Sequence, residues 1–163
     1  MKYKPWMVLL LVMGFAMTVK AQDYLYLGGG YSNSSRALAI RSSIILDNVG
    51  VELNVKSDLN RPFKSAQAMD GQRHRFSFMG GLTYDFLDFL HLTACAGYGS
   101  AGIYRVTGTA EGYGVEGLTR GLEAGGFIDV FLGDISVFGG WSRIFAQRNG
   151  PFSEFTIGVG LRL

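Results

Sequence analysis

The sequence predicts an all-β fold, an eight-stranded antiparallel up-and-down barrel. Three observations carry that prediction. Long stretches alternate large apolar with small or polar residues at a period of two, which gives a strand two different faces. The connections between these stretches alternate strictly between tight turns and longer loops, as an up-and-down barrel requires when its two rims differ. Glycine is abundant (24 residues), proline scarce (3) and aromatics make up 13% of the chain, a composition neither disordered nor helical.

The last stretch, Phe152 to Leu163, shows the alternation best. Phe155, Ile157, Val159, Leu161 and Leu163 lie on one face, and Glu154, Thr156, Gly158, Gly160 and Arg162 on the other. The first residues read differently. Lys2 and Lys4 precede an apolar run from Trp6 to Val19, and Val19-Lys20-Ala21 offers a signal-peptidase site. This run is short of the roughly 20 residues that a spanning helix needs. Residues 1–21 are therefore expected to be a cleaved signal peptide, and residues 22–163 a single mature domain. Losing Lys2, Lys4 and Lys20 takes 15 bases to 12 against 13 acids, so the mature net charge is 12 − 13 = −1. That near-neutrality removes any electrostatic case for nucleic-acid binding. Cys95 is the only cysteine, so no intrachain disulfide forms. Beyond the signal no apolar run is long enough for a transmembrane helix, and a mature chain that enters a membrane must do so as a closed barrel.

The elements follow in order. Asp23–Tyr31 is the first strand, and residues 32–36 form a polar loop. Ala37–Leu46 places Leu38, Ile40, Ile44 and Leu46 opposite Arg41 and Ser43. Asp47-Asn48 is turn chemistry. Val49–Lys56 sets Val49, Val51, Leu53 and Val55 against Gly50, Glu52, Asn54 and Lys56. Residues 57–72 are a long irregular segment containing Pro62 and Asp70-Gly71. Arg73–Tyr84 resumes the alternation, Asp85–Asp88 is a tight turn, and Phe89–Arg105 sets Leu90, Leu92 and Tyr98 against His91, Thr93 and Cys95. Residues 106–118 form a second, Gly-rich loop. Thr119–Leu132 sets Leu122, Ile128 and Val130 against Glu123, Phe127 and Asp129, and Gly133-Asp134 is a two-residue hairpin signal. Ile135–Ala146 has ambiguous facing, because Phe138 and Trp141 differ in parity. Residues 147–151 are a loop before the final strand.

Which face points outward decides the class of barrel. Soluble barrels turn apolar residues in, and membrane barrels turn them out. The polar faces here hold Gly, Ser and Thr with single charges of both signs, unlike the Lys- and Glu-rich solvent face of a soluble protein. Such a set suits the narrow lumen of an eight-stranded barrel. Arg41, Glu52, Arg75, Glu123, Asp129 and Glu154 are expected to form an inward ion-pair network that plugs the lumen. Lys56 and Arg162, near strand ends, are expected at solvated rims. Phe76, Tyr84, Phe89, Tyr98, Tyr104, Trp141 and Phe155 fit interfacial aromatic girdles.

Thr156, Gly158, Leu161 and Leu163 resemble the C-terminal assembly signal of bacterial outer-membrane barrels, with Leu where that signal usually has aromatics. Together with the signal peptide and the eight strands, they make the mature chain resemble the small OmpA/OmpX-like outer-membrane β-barrels of Gram-negative bacteria. The resemblance implies a transmembrane barrel with short periplasmic turns and longer outer loops. It implies lipid and lipopolysaccharide as surroundings and the barrel assembly machinery as a partner of the terminal strand. Recognition of a surface ligand would fall to the loops at 57–72 and 106–118, the first carrying Arg61, Lys64 and Arg73 and the second Glu111 and Glu116.

Chemistry is sparse, and the sequence shows no motif for a metal or a cofactor. His74 and His91 lie at opposite ends of adjacent strands. Cys95 is expected in a packed lumen. A structural or surface-recognition role is therefore the primary expectation, with no enzyme activity. One alternative is a narrow channel for small solutes. Another is a lipid A-modifying enzyme, since some barrels of this size act on that lipid, which would need a Ser-His pair on the outer face. His74 shares the outward parity of Phe76, but Ser77 has the opposite parity.

Overall fold

The computed structural model describes residues 23–58, 70–87, 89–106, 113–146 and 149–163. The predicted signal peptide and the loop charges Arg61, Lys64 and Glu111 lie outside the described residues. Eight strands close into one barrel in sequence order: β1 (Tyr24–Ser32), β2 (Leu38–Leu46), β3 (Val49–Ser57), β4 (Arg73–Leu87), β5 (Leu90–Val106), β6 (Tyr113–Leu132), β7 (Ile135–Ala146) and β8 (Phe152–Arg162). Every neighbouring pair is antiparallel, and β1 closes on β8 through Gly29↔Val159. Closure leaves no unpaired sheet edge.

The turn chemistry places the tight connections at one rim. Asp47 takes a φ of 55° and Gly133 a φ of 69°, the left-handed backbone that two-residue hairpins need. Two predicted boundaries move. Strand β4 continues through the expected 85–88 turn to Leu87, with a register shift between Asp85 and Leu87. Much of the expected 106–118 loop is strand, because β6 begins at Tyr113 and Val115 pairs with Tyr104. A register shift between Ala101 and Ile103, with the extra residue on β6, makes that pairing, and beyond it Ile103 is exposed and Tyr104 buried, the reverse of the parity on the rest of β5. Gly114 and Gly117 hid this extension behind turn-like composition. As a result β4, β5 and β6, of 15, 17 and 20 residues, project past β1–β3, of 9 each, at the long-loop rim.

The two faces sort as membrane-barrel alternation demands. Ile40, Ile44, Val51, Leu82, Ile128, Ile157 and Val159 are all exposed on the outside, while Arg41, Glu52, Lys56, Arg75, Glu123, Asp129 and Glu154 are buried inside. Strand β7 resolves its ambiguity: Ile135, Val137 and Trp141 face out, and Ser136, Phe138 and Ser142 face in. Phe76, Phe89, Tyr98, Trp141 and Phe155 are exposed, but Tyr104 is buried, because it lies beyond the bulge. The girdle reading therefore fails for Tyr104.

Inward glycines make room for inward rings. A Cβ at Gly160 would lie 2.5 Å from Cε2 of Tyr26, and one at Gly30 would lie 2.7 Å from Cζ of Phe138. Phe127 packs edge-on against Phe138, 6.1 Å between centroids. Cys95 is buried beside Met79, its Sγ 3.8 Å from the thioether sulfur. Overpacking such a core costs about 1–3 kcal/mol. Gly160→Leu is expected to lower the urea midpoint of the detergent-folded barrel by a matching amount. An unchanged midpoint would mean that the Tyr26 ring has free space to move into.

Candidate functional site

The charged residues of the interior fall into two clusters at different heights. In the lower one the Arg41 guanidinium donates through Nε and Nη2 to both oxygens of Glu52, at 2.7 Å each. It also donates to both oxygens of Asp129, at 2.9 and 3.1 Å. This fork-like geometry is what a guanidinium supplies and an ammonium does not. Arg41 stands on β2 and Asp129 on β6, so the contact crosses the interior. One cation facing two carboxylates leaves an excess negative charge. Hydroxyl donors offset it: Ser43, Thr83 and Thr93 donate to Glu52, and Tyr26 donates to Asp129 at 2.6 Å. The faces of Phe127 and Phe138 lie 4.3 and 4.7 Å from Cζ of Arg41 and favour the cation.

The upper cluster is charge-balanced. Arg75 pairs with Glu123 at 2.6 Å and with Glu154 at 2.7 Å. Lys56 pairs with Glu154 at 2.9 Å and lies 3.6 Å from Glu123. Ser35, from the β1–β2 connection, closes the top by donating to Glu154 at 2.6 Å. Glycine is needed here for space, because a Cβ on Gly99 would strike the Glu123 carboxylate.

All six expected lumen charges, Arg41, Glu52, Arg75, Glu123, Asp129 and Glu154, thus lie inside the barrel, divided between two groups. Lys56 corrects the expectation that it is a solvated rim residue, for its side chain is fully buried. It sits near the end of β3 but below the rim, since β4 and β5 continue upward past its partner Ser77. Arg162 is half-buried near the tight-turn rim, between the rings of Tyr24 and Phe131 at 4.5 and 4.4 Å. His91 lies beside it, 3.2 Å from Nη2 of Arg162 and 2.7 Å from the Tyr24 hydroxyl. The opposite rim holds His74, whose ring reaches Ser100 and Tyr104. Sequence reasoning set Lys56 at the rim and passed over Ser100. Counting straight up from Leu87↔Leu90 would set Ser100 opposite Ser77; the register shift between Asp85 and Leu87 sets it opposite Phe76 instead.

No family model and no curated sequence matches the chain. Several solved structures do match in fold. One is Ail, the attachment invasion locus protein of Yersinia pestis, in complex with the heparin analogue sucrose octasulfate. It aligns with a TM-score of 0.61 and 12% identity over 86% of this chain and 95% of that one. The N-terminal β-barrel domain of Pseudomonas aeruginosa OprF aligns with a TM-score of 0.54 and 12% identity, over 86% and 96% of the two chains. Neisserial surface protein A aligns at 0.50 with 12% identity over the same shares. At such identities the likeness is one of architecture. In that sense the chain has the fold of the small eight-stranded outer-membrane β-barrels.

Proposed function

We propose that this chain is an outer-membrane protein of a Gram-negative bacterium, exported through its cleaved signal peptide. Its lumen is plugged by side chains, and its role is structural or one of surface recognition. The observation that carries the reading is the inversion of faces. Water would have to solvate a continuous exterior of Leu, Ile, Val and Phe, while seven ionised side chains sit desolvated inside. Only a hydrocarbon surrounding makes that arrangement favourable.

The plug reading is supported by contacts that cross the barrel at two heights, Arg41 to Asp129 and Arg75 to Glu154. They occupy a lumen wide enough only for side chains. A recognition role is supported by the projecting β4–β6 sheet and its loops, which stand on a rigid frame. Ail, a protein of this fold, forms a complex with the heparin analogue sucrose octasulfate.

Fractionated cells are expected to hold the mature chain in the outer membrane. Its gel mobility should shift on boiling, as a detergent-resistant barrel unfolds. Refolded protein in a planar bilayer should show no steady conductance steps. A soluble periplasmic protein with unshifted mobility would sink the membrane reading, whereas regular conductance steps would sink the plug alone.

A further inference from the structure

Ser77, the serine nearest His74 in sequence, points into the lumen and is fully buried. The β4–β5 register brings another serine to His74. Phe76 pairs with Ser100 and His74 with Gly102, so Ser100 sits one step diagonally from His74 on the outward parity that Tyr98 shares. The imidazole Nε2 lies 3.0 Å from Oγ of Ser100. On the other side of the ring, Nδ1 lies 2.9 Å from the Tyr104 hydroxyl and 3.3 Å from Oδ2 of Asp58.

The hydrogen inventory sets the direction of these bonds. The Tyr104 hydroxyl has one proton, which it donates to Asp58 at 3.1 Å. Its oxygen can then only accept from His74, so Nδ1 carries the ring proton. That leaves a lone pair on Nε2, aimed at the Ser100 hydroxyl. Asp58 is held in place by the backbone N–H of Arg75, which donates to the same oxygen at 2.7 Å. A nucleophile, a base in the required tautomer and a carboxylate that orients the base are thereby assembled from β5, β4 and the residue that follows β3.

The surroundings suit a substrate. A cavity of about 350 Å³ is lined by Asp58, His74, Phe76, Tyr98, Ser100 and Arg120. Phe76 and Tyr98 are exposed on the apolar exterior. Arg120 pairs in register with Ser100 and is exposed. The bulge between Ala101 and Ile103 adjoins Ser100, at a place where bulges re-aim side chains.

We propose that Ser100, His74 and Asp58 hydrolyse carboxylic esters of amphiphiles at the long-loop rim of the barrel, with Arg120 receiving an anionic headgroup. This activity would be additional to the surface role. Oγ of Ser100 attacks the ester carbonyl carbon as its proton passes to Nε2 of His74. The tetrahedral adduct collapses, the C–O bond to the alcohol breaks, and that oxygen takes the proton from Nε2. Water then attacks the acyl-serine ester, giving a proton to Nε2. The acid leaves, and the proton returns to Oγ of Ser100. Water is the only co-reactant, and nothing is oxidised.

The test uses the mature chain refolded in detergent micelles, with a fluorophosphonate probe and with p-nitrophenyl esters of decanoate and acetate. Peptide mass spectrometry is expected to find the phosphonyl adduct on Ser100, and boiling the protein first should abolish it. Hydrolysis of the decanoate ester should exceed that of the acetate ester. It should fall by about 100-fold or more in His74→Ala, and Asp58→Asn should lower kcat with little change in KM. A folded barrel without an adduct, or with one on a different serine, overturns the proposal. Equal rates on both esters overturn the amphiphile assignment. The wild-type adduct position decides the matter even if Ser100→Ala does not fold.

Discussion

Replacing Arg41 by Met is expected to destabilise the barrel by about 3–5 kcal/mol, the cost of removing one partner from a buried ionic group. The mechanism lies in what remains. Among the described residues, Arg41 supplies all the positive charge within hydrogen-bonding distance of Glu52 and Asp129. Without it, two carboxylates stand buried with only hydroxyl donors to compensate them. Methionine fills most of the volume, so lost packing contributes little. The measurement is a urea titration of the detergent-folded protein, followed by heat-shifted gel mobility or tryptophan emission. A charge argument makes a second demand. Adding Glu52→Gln and Asp129→Asn to Arg41→Met removes the uncompensated charge and should recover a large part of the loss. If the triple variant is no more stable than the single one, packing rather than charge explains the role of Arg41.

Leu53→Arg is expected to cost about 2–4 kcal/mol in a lipid bilayer, the range for a cation on the lipid face near the membrane midplane. Leu53 is the central residue of β3, its side chain 43% exposed on the outside and its neighbours in register Ser42 and Gly80. In a water-soluble barrel the same substitution would place a charge in solvent and change stability by less than about 0.5 kcal/mol. The comparison therefore tests the surroundings as much as the residue. Unfolding measured from phosphatidylcholine vesicles should show the full penalty. Equal stability of the two proteins in vesicles would mean that hydrocarbon does not meet this face. Glu52, the preceding residue, points to the opposite face, its side chain buried within the Arg41 cluster.

Much of the architecture was legible because it rests on local chemistry. A period of two over eight stretches requires strands. Asp47-Asn48 and Gly133-Asp134 require tight turns through their tolerance of left-handed backbone. Boundaries were legible only where alternation and turn chemistry agreed. At residues 113–118 two glycines suggested a loop, and pairing with the end of β5 overrode them. At Tyr104 the parity count failed, for next to the register shift with β6 the exposed Ile103 and the buried Tyr104 reverse the pattern of the rest of β5. Phe138 and Trp141 could not be assigned until inward glycines on β1 and β8 were seen to accommodate the Phe138 ring.

The candidate sites divide in the same way. That Arg41, Glu52, Arg75, Glu123, Asp129 and Glu154 share the polar faces follows from parity. Which of them meet does not, for Arg41 and Asp129 are 88 residues apart in sequence and Lys56 and Glu154 are 98 apart. The outer-rim group shows the same limit on a smaller scale. His74 lies 26 residues from Ser100, and only the register across the β4–β5 turn brings them together.

By itself, the sequence determined that this chain makes eight two-faced strands with one greasy and one polar side. Side-chain period and turn preference are properties of a few adjacent residues. Only the tertiary structure decided which charges neutralise one another, that Lys56 is buried, and that Ser100, His74 and Asp58 meet at the rim. Those outcomes depend on barrel closure, strand register and one bulge, which bring together residues that no local pattern connects.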